Sequence, residues 1–190
     1  MLNRTEPRFH IGAFRCKIKS MVIYIGADHR GFELKEKIKD FLKQRGYQLV
    51  DVGDEKYNEN NDYPLFAIKA AKQVSQEFET AKGILICGSG VGMSVVANKF
   101  LHIRAVLAST PDQAFDSRNE DDTNILALGA NYLDEEMAKK IVLTWLETPY
   151  ANEERFQRRL EEISRLEDKI ISAVVDDDGD VGPKADINWR

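Results

Sequence analysis

The chain has 190 residues, 43% of them hydrophobic and 31% charged, which is enough to bury the core of one globular domain. Its formal net charge of -5 argues against a nucleic-acid binder, whose affinity would depend on a basic surface. No apolar run approaches membrane-spanning length, and two cysteines form no disulfide framework, so we expect a cytoplasmic protein that binds no membrane.

The two ends of the chain differ in composition from the middle. Residues 1–20 are basic but lack the apolar core of a signal peptide, which predicts a disordered extension. A transit peptide, or a start codon upstream of the true one at Met21, are the alternatives. Residues 21–175 are expected to form the domain. Residues 176–190 are polar and acidic, which predicts a flexible tail.

Apolar runs that suit buried strands recur along the chain, at residues 22–26, 47–52, 83–87, 103–108 and 124–128. Helical spacing of apolar residues lies between most of them: Leu34, Ile38, Phe41 and Leu42; Ala67, Ala71, Val74 and Phe78 after Pro64; and Leu133, Met137, Ile141 and Trp145 before Pro149. Strands that alternate with helices predict an α/β fold with a doubly wound, parallel, five-stranded sheet in a single domain.

The last predicted helix is long and carries an apolar stripe with near-heptad spacing, at Phe156, Leu160, Ile163, Ile170 and Val174. Glu167 interrupts the stripe. Because the stripe is longer than one small sheet needs, our preferred interpretation is docking against a second subunit. Packing on the chain's own sheet is the alternative.

Cys87 ends the third apolar run and opens a glycine-spaced turn, and a helix over residues 91–100 is predicted to follow. Open α/β sheets bind ligands at the carboxyl ends of their strands. Three glycines let the backbone approach a ligand closely and leave amides free to face negative charge. These features favour an activated thiol beside an anion site, and a buried structural cysteine is the alternative.

Other polar residues are candidates for the same site. Asp28 and His29 follow the first strand, so we expect them at the same sheet edge as Cys87. Arg155 and Arg159 lie one helical turn apart and form either a phosphate clamp or part of a solvated face. The turn after Cys87 matches no dinucleotide or Walker motif, and no cluster has metal-ligand spacing. The sequence therefore predicts chemistry by side chains and backbone amides.

Several motifs occur in the order typical of one family: residues 22–35 (VIYIGADHRGFELK), 62–64 (DYP), 86–94 (ICGSGVGMS), 97–99 (ANK) and 124–129 (NILALG). Over residues 21–163 the chain resembles ribose-5-phosphate isomerase type B and its galactose-6-phosphate isomerase relatives. The resemblance implies a Rossmann-like sheet and a homodimer or homotetramer with active sites at subunit interfaces. It also implies no metal or other cofactor, and interconversion of aldose and ketose phosphates.

The resemblance also implies residue roles. Cys87 is the base that moves a proton between C1 and C2 of the sugar through an enediolate. The enediolate oxygens are held by backbone amides of Gly88, Ser89, Gly90, Val91 and Gly92. Asp28 and His29 contact the sugar and its phosphate, and Arg155 and Arg159 contact the phosphate.

Three positions depart from the family pattern. Glu120 and Asp121 replace a usual His-Asn pair, so the usual ring-opening histidine is absent, and Asn131 replaces an arginine. Glu120 could act as the acid instead, and a solvated acidic loop is the alternative. The loss of one charge-assisted hydrogen bond costs about 1.5–3 kcal/mol, so the usual substrate binds well only if another group substitutes. We expect a ribose 5-phosphate isomerase. The alternatives are an isomerase of another sugar phosphate, for example an acyclic one, and a non-catalytic sugar-phosphate-binding protein.

Overall fold

The computed structural model describes residues 21–174, so the predictions for residues 1–20 and 176–190 lie outside the described residues. The described residues divide into two compact units, which meet between Pro149 and Tyr150 in the sequence. No helix of residues 21–174 is long and apolar enough to cross a membrane.

The first unit is a parallel sheet with helices between its strands. Its strands are β1 (Val22–Ala27), β2 (Gln48–Asp51), β3 (Ala81–Cys87), β4 (Ala105–Leu107) and β5 (Ile125–Gly129). Its helices are α1 (Phe32–Gln44), α2 (Tyr63–Gln76), α3 (Val91–Ala97), α4 (Pro111–Asn119) and α5 (Glu135–Glu147). The strand order is β2-β1-β3-β5-β4, and every neighbouring pair is parallel.

The sheet is covered on both faces because alternate residues of each strand point to opposite sides. Ile23 and Ile25 of β1 join one buried cluster with α1, α4 and α5. Tyr24 of β1 and Leu85 of β3 join a second cluster with α2 and α3. Helices therefore pack on both faces of a five-stranded parallel sheet, which confirms the predicted fold class.

Three details of the sequence prediction were wrong. Helix α4 was not predicted because Ala114 is its only buried apolar residue, although the Thr110 hydroxyl accepts the Gln113 N–H and caps the helix. Helix α3 ends at Ala97 rather than at residue 100, since the Asn98 side chain bonds to the backbone of Ala105. Phe78 lies beyond the end of α2 and is exposed rather than on its buried face.

The second unit contains the helix α6 (Glu154–Val174), which confirms the predicted long C-terminal helix. The apolar residues Ile163, Leu166, Ile170 and Ile171 are exposed along it. An exposed apolar stripe of this kind is typical of an interaction surface. The predicted docking of this helix against a second subunit stays a prediction.

Candidate active site

Cys87 is the last residue of β3 and lies at the carboxyl edge of the sheet, as predicted. It is a free cysteine, and only 4% of its surface is exposed. The backbone N–H of Gly90 donates to its sulfur at 3.1 Å. The hydrogen-bond donor thus points at the atom that carries the negative charge in a thiolate.

The turn after Cys87 depends on glycine at its third position. Gly90 has φ of +77°, a left-handed conformation that residues with a Cβ rarely adopt. A Cβ at this position would lie 2.5 Å from Leu107 Cδ1 and 2.9 Å from the Leu128 carbonyl carbon. The glycine therefore allows the turn to lie against β5 while its N–H points at the sulfur.

The start of α2 forms one wall beside this turn. A Cβ at Gly92 would lie 2.6 Å from the Tyr63 ring, so Gly92 leaves room for that ring. The sequence analysis predicted no contact between Tyr63 and the turn after Cys87. The two segments are 29 positions apart in sequence, and no local pattern joins them.

Asp28 lies at the end of β1, beside the end of β3. Its N–H donates to the Ile86 carbonyl at 3.3 Å. Its buried carboxylate accepts the backbone N–H groups of Arg30 and Gly31, both at 3.0 Å. Asp28 thus fixes the turn between β1 and α1, and its contact with substrate stays a prediction.

His29 is held by a residue that the sequence reading did not select. Its backbone N–H donates to Asn61 Oδ1 at 2.7 Å, and its Nδ1 lies 3.2 Å from both the Asn61 carbonyl and Oδ1. A carbonyl oxygen only accepts hydrogen bonds, so Nδ1 carries the proton and Nε2 is left for a ligand. Asn61 Nδ2 in turn donates to Asp54 Oδ2 at 2.9 Å.

Arg30 and Asn131 lie on either side of the residue after Cys87. A Cβ at Gly88 would be 2.6 Å from both Cζ and Nε of Arg30, so the guanidinium packs directly on the Gly88 backbone. The backbone N–H of Asn131 donates to the Gly88 carbonyl at 2.9 Å. Both residues therefore lie beside the turn, and a contact of Asn131 with the substrate stays a prediction.

Glu120 and Asp121 lie elsewhere in the chain, after α4 and before β5. Their loop is at the amino edge of the sheet, where Asn124 bonds to the backbone of Gly83 and Arg104. From the Gly83–Ile125 pair to the Cys87–Gly129 pair is four residues along the strands, about 13 Å. Within one chain the structure does not bring Glu120 or Asp121 to Cys87, and their role stays a prediction.

A buried basic cluster occupies the same amino edge. Lys82 is buried, and this burial, together with the weaker effect of the Arg118 charge, lowers the pKa of its amine to about 7. Asp122 opposes this effect and pairs with Arg118 at 2.6 Å and with Arg104 at 3.0 Å. The sequence analysis did not identify this cluster, because its four members come from separate parts of the chain.

Arg155 and Arg159 belong to the second unit, at the start of α6. Their guanidinium groups lie over the Phe156 ring, at 4.3 and 5.7 Å from its centroid. Arg155 Nε also pairs with Glu153 at 2.8 Å. Their contact with a phosphate stays a prediction. Among residues 21–174 no group of three or more His, Cys, Asp or Glu side chains is arranged to hold a metal ion.

Comparisons with known proteins give a consistent result. A family model described as Ribose/Galactose Isomerase matches residues 23–163. The chain is 44% identical over 147 residues to ribose-5-phosphate isomerase B of Escherichia coli (strain K12), which is 77% of this chain and 97% of that protein.

Solved structures of similar proteins share the fold as well. Ribose-5-phosphate isomerase B from Mycoplasma genitalium with bound ribulose-5-phosphate is similar with a TM-score of 0.76 and 36% identity, over 78% of this chain and 97% of that one. The ribose-5-phosphate isomerase B of Clostridium thermocellum is similar with a TM-score of 0.74 and 43% identity, over 79% of this chain and 99% of that one.

Proposed function

The chain belongs to the ribose/galactose isomerase family, and on that premise we propose that it interconverts ribose 5-phosphate and ribulose 5-phosphate, an aldose and a ketose of the pentose phosphate pathway. The observation that carries this proposal is the buried Cys87 sulfur, which accepts the Gly90 N–H at the carboxyl edge of the sheet. A general base is needed at this place for proton transfer between neighbouring carbons.

In the proposed reaction the Cys87 thiolate removes the proton from C2 of the open-chain aldose. The electrons of the C2–H bond form the C1–C2 double bond, and O1 takes up the negative charge as an enediolate. The thiol then returns the proton to C1, the O2 proton passes to O1, and C2 becomes the ketose carbonyl. Because the Gly90 N–H is bonded to the sulfur, the enediolate oxygens would be held by the amides of Gly88, Ser89, Val91 and Gly92.

Polar side chains would bind the rest of the substrate. His29 presents Nε2, since Nδ1 is bonded to Asn61, and we propose that it binds the sugar phosphate together with Asp28. Arg155 and Arg159 are proposed to bind the phosphate, because a guanidinium pair matches its oxygens.

We also propose that the active enzyme is a homodimer or homotetramer in the cytoplasm. A reducing compartment keeps a free thiol such as Cys87 unmodified. The exposed apolar residues of α6 support association with a second copy. Glu120 and Asp121 lie at the opposite sheet edge from Cys87, so they would contribute to catalysis from that second copy.

Glu120 and Asn131 favour an alternative substrate. Glu120 and Asn131 stand where the family pattern has a histidine and an arginine, so ring opening and phosphate binding both lack a usual group. A shorter, acyclic sugar phosphate needs no ring opening. We therefore keep an acyclic aldose phosphate as the alternative substrate.

The test is solvent hydrogen exchange. In D2O the wild type should incorporate deuterium at C2 of ribose 5-phosphate and at C1 of ribulose 5-phosphate, and Cys87→Ala should not. Exchange with a tetrose phosphate but not with pentose phosphates would support the acyclic alternative. If no tetrose, pentose or hexose phosphate exchanges with the wild type, the proposed function is wrong.

A further inference from the structure

The guanidinium of Arg30 is an unpaired positive charge at the turn that follows Cys87. Arg30 is an exposed residue, and its side chain packs on the backbone of Gly88, where a Cβ would come within 2.6 Å of Cζ. No hydrogen bond or ion pair joins this guanidinium to any residue of 21–174; only the Arg30 backbone N–H is bonded, to Asp28.

The other arginines of the first unit are already engaged. Arg104 and Arg118 pair with Asp122, and Arg45 bonds to the Phe41 carbonyl. Arg30 is thus the one arginine among residues 21–149 whose guanidinium lacks a partner, and it lies beside Cys87.

Asn131 lies on the other side of the same residue. Its backbone N–H donates to the Gly88 carbonyl at 2.9 Å, so positions 30 and 131 both border Gly88. Asn131 carries no charge, whereas Arg30 carries one. Position 131 therefore contributes no positive charge beside Gly88, and Arg30 contributes one from the other side.

We propose that Arg30 binds the phosphate group of the substrate and supplies the positive charge that position 131 lacks. This inference rests on the proposed function, because it assigns a ligand to the same site. Two N–H groups of a guanidinium match two oxygens of a phosphate, and such charge-assisted pairs are the strong hydrogen bonds of proteins.

The experiment compares Arg30→Ala and Arg30→Gln with the wild type. Loss of one charge-assisted interaction should raise KM for ribose 5-phosphate about 10- to 150-fold, with kcat changed only a few-fold. The inhibition constant of inorganic phosphate should rise by the same factor. Arg30→Lys, which keeps the charge without the fork, should fall between these values.

A double variant that moves the positive charge from position 30 to position 131 makes the test more specific. Asn131→Arg in the Arg30→Ala background should recover part of the lost affinity for phosphate, because it restores a charge on the other side of Gly88. The matched control is Arg45→Ala, an exposed arginine at the end of α1, which should leave KM and phosphate inhibition unchanged.

Two results would overturn the proposal. Folded Arg30 variants with unchanged KM and unchanged phosphate inhibition would show that the side chain only covers Gly88. A collapse of kcat with unchanged phosphate inhibition would place Arg30 at the reacting carbons instead. Failure of the proposed function is a separate result, since a wild type that isomerises no sugar phosphate can still be titrated with inorganic phosphate by calorimetry.

Discussion

The backbone N–H of Gly90 lies 3.1 Å from the sulfur of Cys87, so the turn that follows β3 bonds back to the last side chain of that strand. The contact depends on the left-handed conformation of Gly90, with φ of +77°. A glycine in the sequence thereby sets the position of a hydrogen-bond donor, and the donor faces the atom on which negative charge is needed. The geometry suits a cysteine that acts as a base.

Replacement of Cys87 by alanine should reduce kcat about 10²- to 10⁴-fold, the usual contribution of a general base. The substrate affinity should change little, because the Cys87 sulfur acts on the proton rather than on the phosphate. The measurement is the rate of ketose formation from ribose 5-phosphate. Cys16→Ala, which removes the chain's other cysteine, is the control and should keep full activity; equal losses in both variants would contradict the assigned role.

Local patterns in the sequence predicted the parts of the site that local geometry determines. The apolar run before Cys87 gave the strand, and the glycines after it gave the turn, because the residues involved are neighbours in the chain. Contacts between distant segments left no such pattern. His29 meets Asn61 across 32 positions, and Arg30 meets Gly88 across 58, so neither pair follows from spacing.

The expectation that Glu120 acts together with Cys87 came from the family resemblance, which does not show which sheet edge a loop occupies. Parallel strands place the loop before a strand and the turn after it at opposite edges. Only the register of β3 and β5 shows that Glu120 and Cys87 are far apart within one chain. Helix α4 shows a related limit, because a helix with one buried apolar residue has no hydrophobic period.

Asn61→Ala should lower kcat/KM about 5- to 50-fold, because Asn61 Oδ1 no longer accepts from the His29 backbone N–H and from Nδ1, and only the backbone carbonyl of residue 61 still faces Nδ1. Nitrogen NMR of the His29 ring should show the Nδ1–H tautomer in the wild type and a smaller share of it in the variant, where the backbone carbonyl is the remaining acceptor for Nδ1. Asn60→Ala is the matched control, since Asn60 is an exposed neighbour. An unchanged ring spectrum in Asn61→Ala would refute the positioning role.

Lys82→Met should stabilise the protein at pH 6 by about 2–4 kcal/mol, because it removes a buried charge. Burial lowers the pKa of the Lys82 amine from 10.5 to about 7. Between these values the unfolded chain binds more protons than the folded one, so wild-type stability rises with pH. Below pH 7 the Lys82 amine is protonated in both the folded and the unfolded chain, so the free-energy cost of burying its charge does not change with pH.

The difference in the free energy of unfolding between Lys82→Met and wild type should therefore be largest at pH 6 and should shrink as the pH rises from 7 towards 10. Urea unfolding at pH 6, 8 and 9.5 measures it. Lys72→Met, at an exposed position of α2, serves as the matched control. A difference that stays constant with pH would contradict the lowered pKa of Lys82.

Mixed assemblies test whether Glu120 acts from a second copy. Glu120→Gln alone should lower the rate with cyclic ribose 5-phosphate about 10²-fold or more, as expected for loss of an acid. Cys87→Ala alone should also be inactive. If each site takes Cys87 from one copy and Glu120 from the other, a hybrid dimer of the two variants has one intact site and one site with both changes.

Refolding the two inactive variants together in equal amounts should then restore about a quarter of wild-type activity, because half of the dimers are hybrids and each hybrid keeps one of two sites. Asp116→Asn, an exposed carboxylate on α4, should be fully active by itself and is the control for Glu120→Gln. Activity that stays at zero in the mixture would place both groups in one chain, which the sheet register opposes. A fully active Glu120→Gln would instead leave the loop of Glu120 as a solvated acidic segment without a catalytic acid.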